Sequence, residues 1–505
     1  MKIIIQLSIS LCAASRLILY DEAEKMIAQG HTVYFLYCDN YVDSCHTNMC
    51  GRTSDCLLCK SNLKKEIALL SKEIIFISLR KYVERKKIIF PLFDFNYKEF
   101  ADFKKIEFDG INIGLGCASS YISCTRNLNP KIDDTSKPFF DFLLATSLKS
   151  LIVLENILND YIPDQVFLFN GRLIDSKPLL ELVKKRGIAY KTFEAISTNG
   201  VDCLYKSCFV NATPHSIQAN TNMIYSFWES SILSVKDKMK IGKAFFENKK
   251  RALPMGDISY VKNQHLGELP SDWDQKCRNI VIFNSSEDEF AAIGDEYDRY
   301  AFFESQLMGI RFIAENFQNN SEFHFYLRIH PNLSKISYKY HTELHDFDNF
   351  DNFTVIPANS TISTYTLLDN CEKCIVFGST VGAEATFWGK PTILLAGAMY
   401  YFLDICYIPN SKTQLINLIS SQLECKSREN AIKYGYYIMN KDWINFEKID
   451  FRTFELPFLG KKILVNNWQK VFGSRRLYTL FYFLRFKFLR FVHKNTAFRL
   501  PLNEQ

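Results

Sequence analysis

Five short groups of residues carry side chains suited to holding an activated phosphate compound and moving a proton. The first is Ser379, Thr380, Gly382 and Glu384 within CIVFGSTVGAEATFWGKP, residues 374–391. A buried strand ending at Gly378 and a helix opening at Ser379-Thr380 would turn backbone N–H groups and two hydroxyls toward an anion. Gly382 would admit close approach to the backbone. Glu384 would accept hydrogen bonds from a ribose, as the acidic residue of a dinucleotide fold does. The plainer reading of the same residues is a capped helix start with a carboxylate that favours the dipole. The second group is RIHPN, residues 328–332. Arg328 offers a planar fork for phosphate, His330 a donor for phosphate or base, and Pro331 a stiff exit from the strand. The third is FNSSEDEF, with Ser285, Ser286 and Asp288; the fourth is FNGR, with Asn170 and Arg172; the fifth is Glu194 in AYKTFEA. Helix caps, a solvated acidic turn, an Asn-Gly turn and a salt bridge are the structural alternatives for these three.

Each group follows a strand-like run, so the elements that position them are legible. KIIIQLSIS reads as a strand, LILYDEAEKMIAQG as a helix with Gly30 at its end, and HTVYFLYC as a second strand. This β-α-β reading is preferred over a signal peptide for the first 38 residues. KSLIVLENILNDY and DSKPLLELVKKRG read as helices, and QVFLFN and AYKTFEA as strands. A second series runs from RNIVIFNSS through YAFFESQLMGIRFIAENF and EFHFYLRIHP to CIVFGS, TVGAEATFWG and PTILLA. Strands alternating with helices predict parallel α/β sheets. The fold class is α/β with two Rossmann-like doubly wound domains and a cleft between them. The boundaries are an acceptor-side domain over 1–235, a linker over 236–275 rich in Pro and Gly, a nucleotide-donor domain over 276–455 and a tail over 456–505. Ligands of such sheets lie outside the carboxyl ends of the strands. P-loop, GxSxG and HExxH signatures are absent.

The ordered set FNGR, FNSSEDEF-x3-GDE, RIHPN, TYTLLD and GSTVGAEATFWGKP spans residues 165–400. It resembles the capsule and surface-polysaccharide biosynthesis glycosyltransferases of bacteria, which have the GT-B fold. The helix and the His-Pro pair are also similar to those of Kdo and sialyl transferases and of teichoic-acid glycerophosphotransferases. The resemblance implies transfer of a sugar from a CMP- or UDP-activated donor to a capsule, lipopolysaccharide or other surface glycan, inverting and metal-independent. It implies a donor site of Arg328, His330, Pro331, Ser379, Thr380, Gly382, Glu384, Ser285 and Ser286. Glu194 is the first candidate for the base and Asp288 the second, with Asn170 and Arg172 on the facing wall of the cleft. The alternatives are a glycerol- or ribitol-phosphate transferase with a CDP-activated donor, a non-hydrolysing sugar epimerase, and a non-catalytic scaffold of a polysaccharide assembly complex.

Two further features lie outside these groups. Cys38, Cys45, Cys50, Cys56 and Cys59 crowd a polar insertion over 38–62. Cys56-x2-Cys59 has the spacing of a metal knuckle, which makes Cys45, Cys50, Cys56 and Cys59 candidate ligands of a structural zinc; the alternative is a loop of reduced thiols. No cofactor is expected for catalysis.

The chain of 505 residues holds 61 Lys+Arg and 55 Asp+Glu, with 47% apolar and 23% charged residues. That composition excludes a disordered chain and a polytopic membrane protein. The charge of +6 is concentrated: residues 471–505 carry seven Lys/Arg and a single acid, Glu504. Within SRRLYTLFYFLRFKFLRFVHK, residues 474–494, Arg476, Lys487, Arg490 and Lys494 fall on one helical stripe and aromatic or aliphatic residues cover most of the rest. This predicts an amphipathic helix on an anionic membrane, at the inner face of the cell membrane, with no nucleic-acid partner. The alternative is a helix packed on the protein body.

Overall fold

The computed structural model describes residues 1–7, 13–197, 204–253, 260–439, 446–448, 457–458 and 461–462. The helix expected over 474–494 lies outside them. The chain divides into two compact units, Met1–Pro214 with Trp443–Glu504, and His215–Asp442.

The first unit is built on β1 (Lys2–Gln6), β2 (Thr32–Tyr37) and β3 (Ile75–Ser78), followed by a short antiparallel pair, β4 (Glu107–Phe108) and β5 (Ile111–Asn112). Then come β6 (Gln165–Phe169), β7 (Ala189–Ser197) and β8 (Leu204–Val210). Its six-stranded sheet has the order β3-β2-β1-β6-β7-β8. All pairs are parallel except β7 with β8. Ile3, Ile4 and Ile5 are fully buried, as expected of a parallel strand covered on both faces. The Ala13–Ala28 helix joins β1 to β2, so the opening residues form the expected β-α-β unit. The antiparallel edge strand β8 was not expected.

The second unit holds β9 (Arg278–Phe283), β10 (Phe323–Arg328), β11 (Phe353–Ile356), β12 (Lys373–Val376) and β13 (Thr392–Leu394). They form an all-parallel sheet in the order β11-β10-β9-β12-β13. The chain winds outward from β9 to β11, then crosses back to β12. The β9/β12 boundary is therefore the switch point, where such sheets open a crevice. The helix expected over 300–317 begins at Gln306, because the Ser305 hydroxyl accepts from the Met308 N–H at 3.2 Å and caps it.

The stretch 236–275 is not simply a linker. It opens inside the Val235–Lys250 helix, and the boundary between units falls at Pro214/His215. The helix belongs to the second core because Phe245 and Phe246 are buried. Phe245 meets Tyr434 edge-on, and Phe246 stacks on Phe387 with centroids 4.2 Å apart. The Arg428–Met439 helix crosses it where Gly242 and Gly435 face each other. Among the described residues no helix is long and apolar enough to cross a membrane.

Candidate functional site

In the second unit a pocket of about 110 Å³ opens at the carboxyl ends of β9, β10 and β12. It is lined by Asn284 after β9, by Arg328, His330 and Pro331 at the end of β10, and by Ser379, Thr380 and Glu384 after β12. Lys249, Tyr260, Gln264 and Tyr365 complete much of the wall. Sequence groups separated by about 50 residues thus meet at the switch point.

The pocket is organised around Glu384, which is buried. The Tyr365 hydroxyl donates to its Oε2 at 2.5 Å. Thr380 Oγ1 donates to Oε1 at 3.2 Å, and Lys249 Nζ reaches Oε1 at 3.4 Å and Thr380 Oγ1 at 3.3 Å. The carboxylate and burial together hold the Tyr365 phenol far above its ordinary pKa. The Val235–Lys250 helix carries Lys249 here because Phe246, three residues earlier, is stacked on Phe387 of the Val381–Phe387 helix. His330 is fixed from both ends. Its backbone N–H donates to Asn284 Oδ1 at 2.7 Å, and its Nδ1 accepts from the Asn332 N–H at 3.2 Å. An accepting Nδ1 places the proton of the neutral ring on Nε2, a donor. The Tyr260 ring stands edge-on to the imidazole at 5.3 Å.

Three features differ from expectation. The Arg328 fork does not stand open to a phosphate. The guanidinium is buried, and it donates to the carbonyls of Ile329, Pro357 and Ser360. Burial lowers its pKa to about 10, and among the described residues no carboxylate pairs with it. Its contribution to the pocket is an unneutralised positive charge. Gly382 is small for packing: a Cβ there would lie 2.3 Å from the Tyr400 hydroxyl. The first N–H groups of the Val381–Phe387 helix are engaged internally, Val381 with Ser379 Oγ and Gly382 with the Ser379 carbonyl. Those two N–H groups are therefore not offered to the pocket.

Ser285 and Ser286 do not line this pocket. Ser285 exchanges two hydrogen bonds with Gln306, at 2.9 and 2.8 Å. Ser286 donates to Asp288 Oδ1 at 2.8 Å and accepts from Asn332 at 3.2 Å. Asp288 is buried in a 3-10 turn, Glu287–Glu289. This network props the loop beside His330.

In the first unit, Asn170 and Arg172 follow the carboxyl end of β6 and meet Glu194, which lies inside β7 opposite Ser207 of β8 and not at the strand end expected. Asn170 takes the left-handed conformation at φ 61° and Gly171 at φ 92°, which the Asn-Gly pair allows. The turn aims Asn170 Nδ2 at Glu194 Oε2, 2.5 Å away. Arg172 Nη2 reaches Ser123 Oγ at 3.3 Å. Burial raises the Glu194 pKa above the ordinary carboxylate value, opposed by the Asn170 bond and the nearby Arg172 charge.

The cysteines are not gathered as zinc ligands. Among the described residues no group of three or more His, Cys, Asp or Glu side chains is arranged to hold a metal ion. Cys45 lies in a tight turn bridged to Asn48 and contacts Thr47 Oγ1 at 3.5 Å. Cys56 accepts from Asn48 Nδ2 at 3.3 Å and rides with Cys59 on the Thr53–Ile67 helix. Cys50 is buried. Cys45, Cys56 and Cys59 instead line a pocket of about 50 Å³ with Cys38, Gln6 and Asp175.

No family model matches the chain, and no curated protein matches it. Among solved structures it is similar to a KpsC β-Kdo 2,4 transferase of Thermosulfurimonas dismutans. The identity is 11% over 54% of this chain and 79% of that one, with a TM-score of 0.35. It is similar to the UDP-GlcNAc 2-epimerase of Methanocaldococcus jannaschii, 12% identical over 86% of this chain and 98% of that one, TM-score 0.26. A third is the glycosyltransferase SsfS6 of Streptomyces sp. SF2575, solved with thymidine diphosphate. It is 8% identical over 87% and 95% of the two chains, TM-score 0.21. Likenesses this distant add nothing to the geometry, and the α/β architecture rests on the two sheets themselves.

Lys249, Tyr260 and Tyr365 were missed in the sequence. Tyr365 lies in the TYTLLD segment, whose Ser363 cap was a usable signal. Lys249 carries no local sign: it is one of two adjacent lysines, Lys249 and Lys250, at a polar helix end.

Proposed function

We propose that the chain is a glycosyltransferase whose second unit binds a CMP- or UDP-activated sugar and passes the sugar to a growing surface glycan at the inner membrane face. The observation that carries the reading is the Lys249–Thr380–Glu384–Tyr365 cluster beside His330, in a pocket at the switch point of a parallel sheet. A nucleotide-sugar offers phosphate to cations and ribose hydroxyls to a carboxylate, and both partners are present. In the transfer, the bond from the sugar anomeric carbon to the phosphate oxygen breaks and its electron pair leaves with the phosphate. Lys249, the His330 Nε2 proton and the Arg328 charge offset the charge that develops there. The acceptor hydroxyl oxygen forms the new bond, and its proton goes to a carboxylate. Glu194 is the first candidate and Asp288 the second; both already accept a hydrogen bond, Glu194 from Asn170 and Asp288 from Ser286.

The test is titration of the full chain with CMP, CDP, UDP and GDP, followed by calorimetry and thermal unfolding. One nucleotide is expected to bind and raise the melting temperature. If none binds, the donor pocket is misassigned.

A further inference from the structure

The Leu79–Lys86 helix of the first unit presents two different faces. Leu79 and Tyr82 are buried, whereas Lys81, Arg85 and Lys86 are exposed, and Lys87 ends the helix in the left-handed conformation. The irregular stretch after it reads IIFPLFDFN, residues 88–96. Three aromatic rings, Phe90, Phe93 and Phe95, tie this loop to the body. Phe90 lies 6.4 Å from the Tyr41 ring, Phe93 lies 5.1 Å from Phe95 and 5.7 Å from Phe108, and Phe95 is buried. The anchors leave Ile89 and Leu92 outside, at 89% and 103% exposure, with Phe93 at 44%. A single exposed Leu is ordinary. Three large apolar side chains within five residues, two of them almost wholly in water, form a protrusion that wants cover.

The charge next to it indicates the cover. Residues 79–94 carry Arg80, Lys81, Arg85, Lys86 and Lys87 against Glu84 and Asp94, a net of +3. Lys86 pairs with Asp160 at 2.7 Å, and Arg80 donates to the carbonyls of Asp39 and Asn40. Lys81 and Lys87 stand exposed at the ends of the helix. The basic chain tail would be repelled here. Apolar tips framed by lysine suit one partner, a bilayer interface with anionic headgroups.

We propose that the 88–96 loop is a membrane-docking element, inserting Ile89, Leu92 and Phe93 into the headgroup and acyl boundary while Lys81, Arg85 and Lys87 meet anionic lipid. This deepens the membrane placement proposed above with a contact separate from the tail; its test does not depend on nucleotide binding.

The experiment uses the full chain and vesicles of phosphatidylcholine with or without 30% phosphatidylglycerol, a composition chosen for the test. Leu92→Trp adds a local reporter, read as the difference from the five native tryptophans. With phosphatidylglycerol vesicles its emission should shift to the blue and be quenched by brominated acyl chains; with pure phosphatidylcholine it should stay in water. Ile89→Ser combined with Leu92→Ser, both fully exposed and so harmless to folding, should weaken vesicle partitioning about tenfold or more with the tail intact. Three results overturn the proposal: no quenching at position 92, unchanged partitioning of the double variant, or blue emission before vesicles are added. The second would mean that the tail alone holds the membrane. The third would mean that protein already covers the loop.

Discussion

Lys249 and Glu384 make the second-unit pocket a place where a cation and an acceptor stand side by side, and that pairing is the feature most open to a single substitution. Lys249→Met removes the cation of the cluster and leaves Tyr365 and Thr380 on the carboxylate. A charged hydrogen bond to phosphate is worth about 1.5–3 kcal/mol, so nucleotide affinity should fall about 10- to 100-fold by calorimetry. Unchanged affinity would remove Lys249 from the site. Asp175 offers a different residue-scale test. Its carboxylate is buried, and neither oxygen meets a donor from another residue; burial pushes its pKa up to about 7. In the unfolded chain it titrates near 3.9. Between those values the folded state holds the extra proton, so stability falls as pH rises from about 4 to about 7. Asp175→Asn should flatten that slope. The unfolding free energy from urea titration should match the parent near pH 4 and exceed it at pH 8, by at most about 4 kcal/mol. His330, Thr380 and Glu384 were legible because each follows a strand end in a recognisable run. The Arg328 role was not, because whether a guanidinium faces a ligand or three carbonyls depends on the fold of residues 357–360.

At the scale of elements, parallel strands announced themselves as apolar runs, and the helices between them followed. The Val235–Lys250 helix did not, because VKDKMKIGKAFFENKK mixes six lysines and two acids with a central glycine. Only the partner helix shows why Gly242 is there: a Cβ at Gly435 would lie 2.4 Å from the Gly242 carbonyl, and one at Gly242 would lie 2.3 Å from that of Ile432. In an exposed helix, Gly to Ala gains roughly 0.5–1 kcal/mol. Here the sign should invert. Gly435→Ala forces two backbones apart, at a cost of about 1–3 kcal/mol. Because Lys249 rides on the displaced helix, nucleotide affinity should fall as well. Denaturant unfolding and calorimetry on the same variant check both. A stabilised protein with unaltered affinity would show that the crossing does not position the lysine.

At the scale of the whole chain, the composition hid a basic tail, and sequence order hid the return of the chain to its first unit. Asp21 and Lys206 are fully buried with Glu22, two carboxylates on one ammonium. Such a triad needs further donors. The backbone N–H groups of Glu447 and Lys448 supply them to Asp21 Oδ1 at 3.1 and 2.6 Å, while the Phe446 ring lies against Lys206 at 5.3 Å. No local pattern near residue 447 could have shown this, since the partners are more than 420 residues away. The arrangement separates two consequences of shortening the chain. Ending it after residue 473 removes the basic tail and keeps the Asp21 donors, so the triad should stay satisfied. Ending it after residue 445 also strips those donors and leaves a buried carboxylate short of partners, costing the first unit about 1–3 kcal/mol. Hydrogen exchange read peptide by peptide distinguishes the two: protection should drop in Lys2–Gln6, Ala13–Ala28 and Leu204–Val210 only for the shorter chain, while β9 to β13 keep theirs. Equal protection in both truncations would mean that the triad is satisfied without the returning segment.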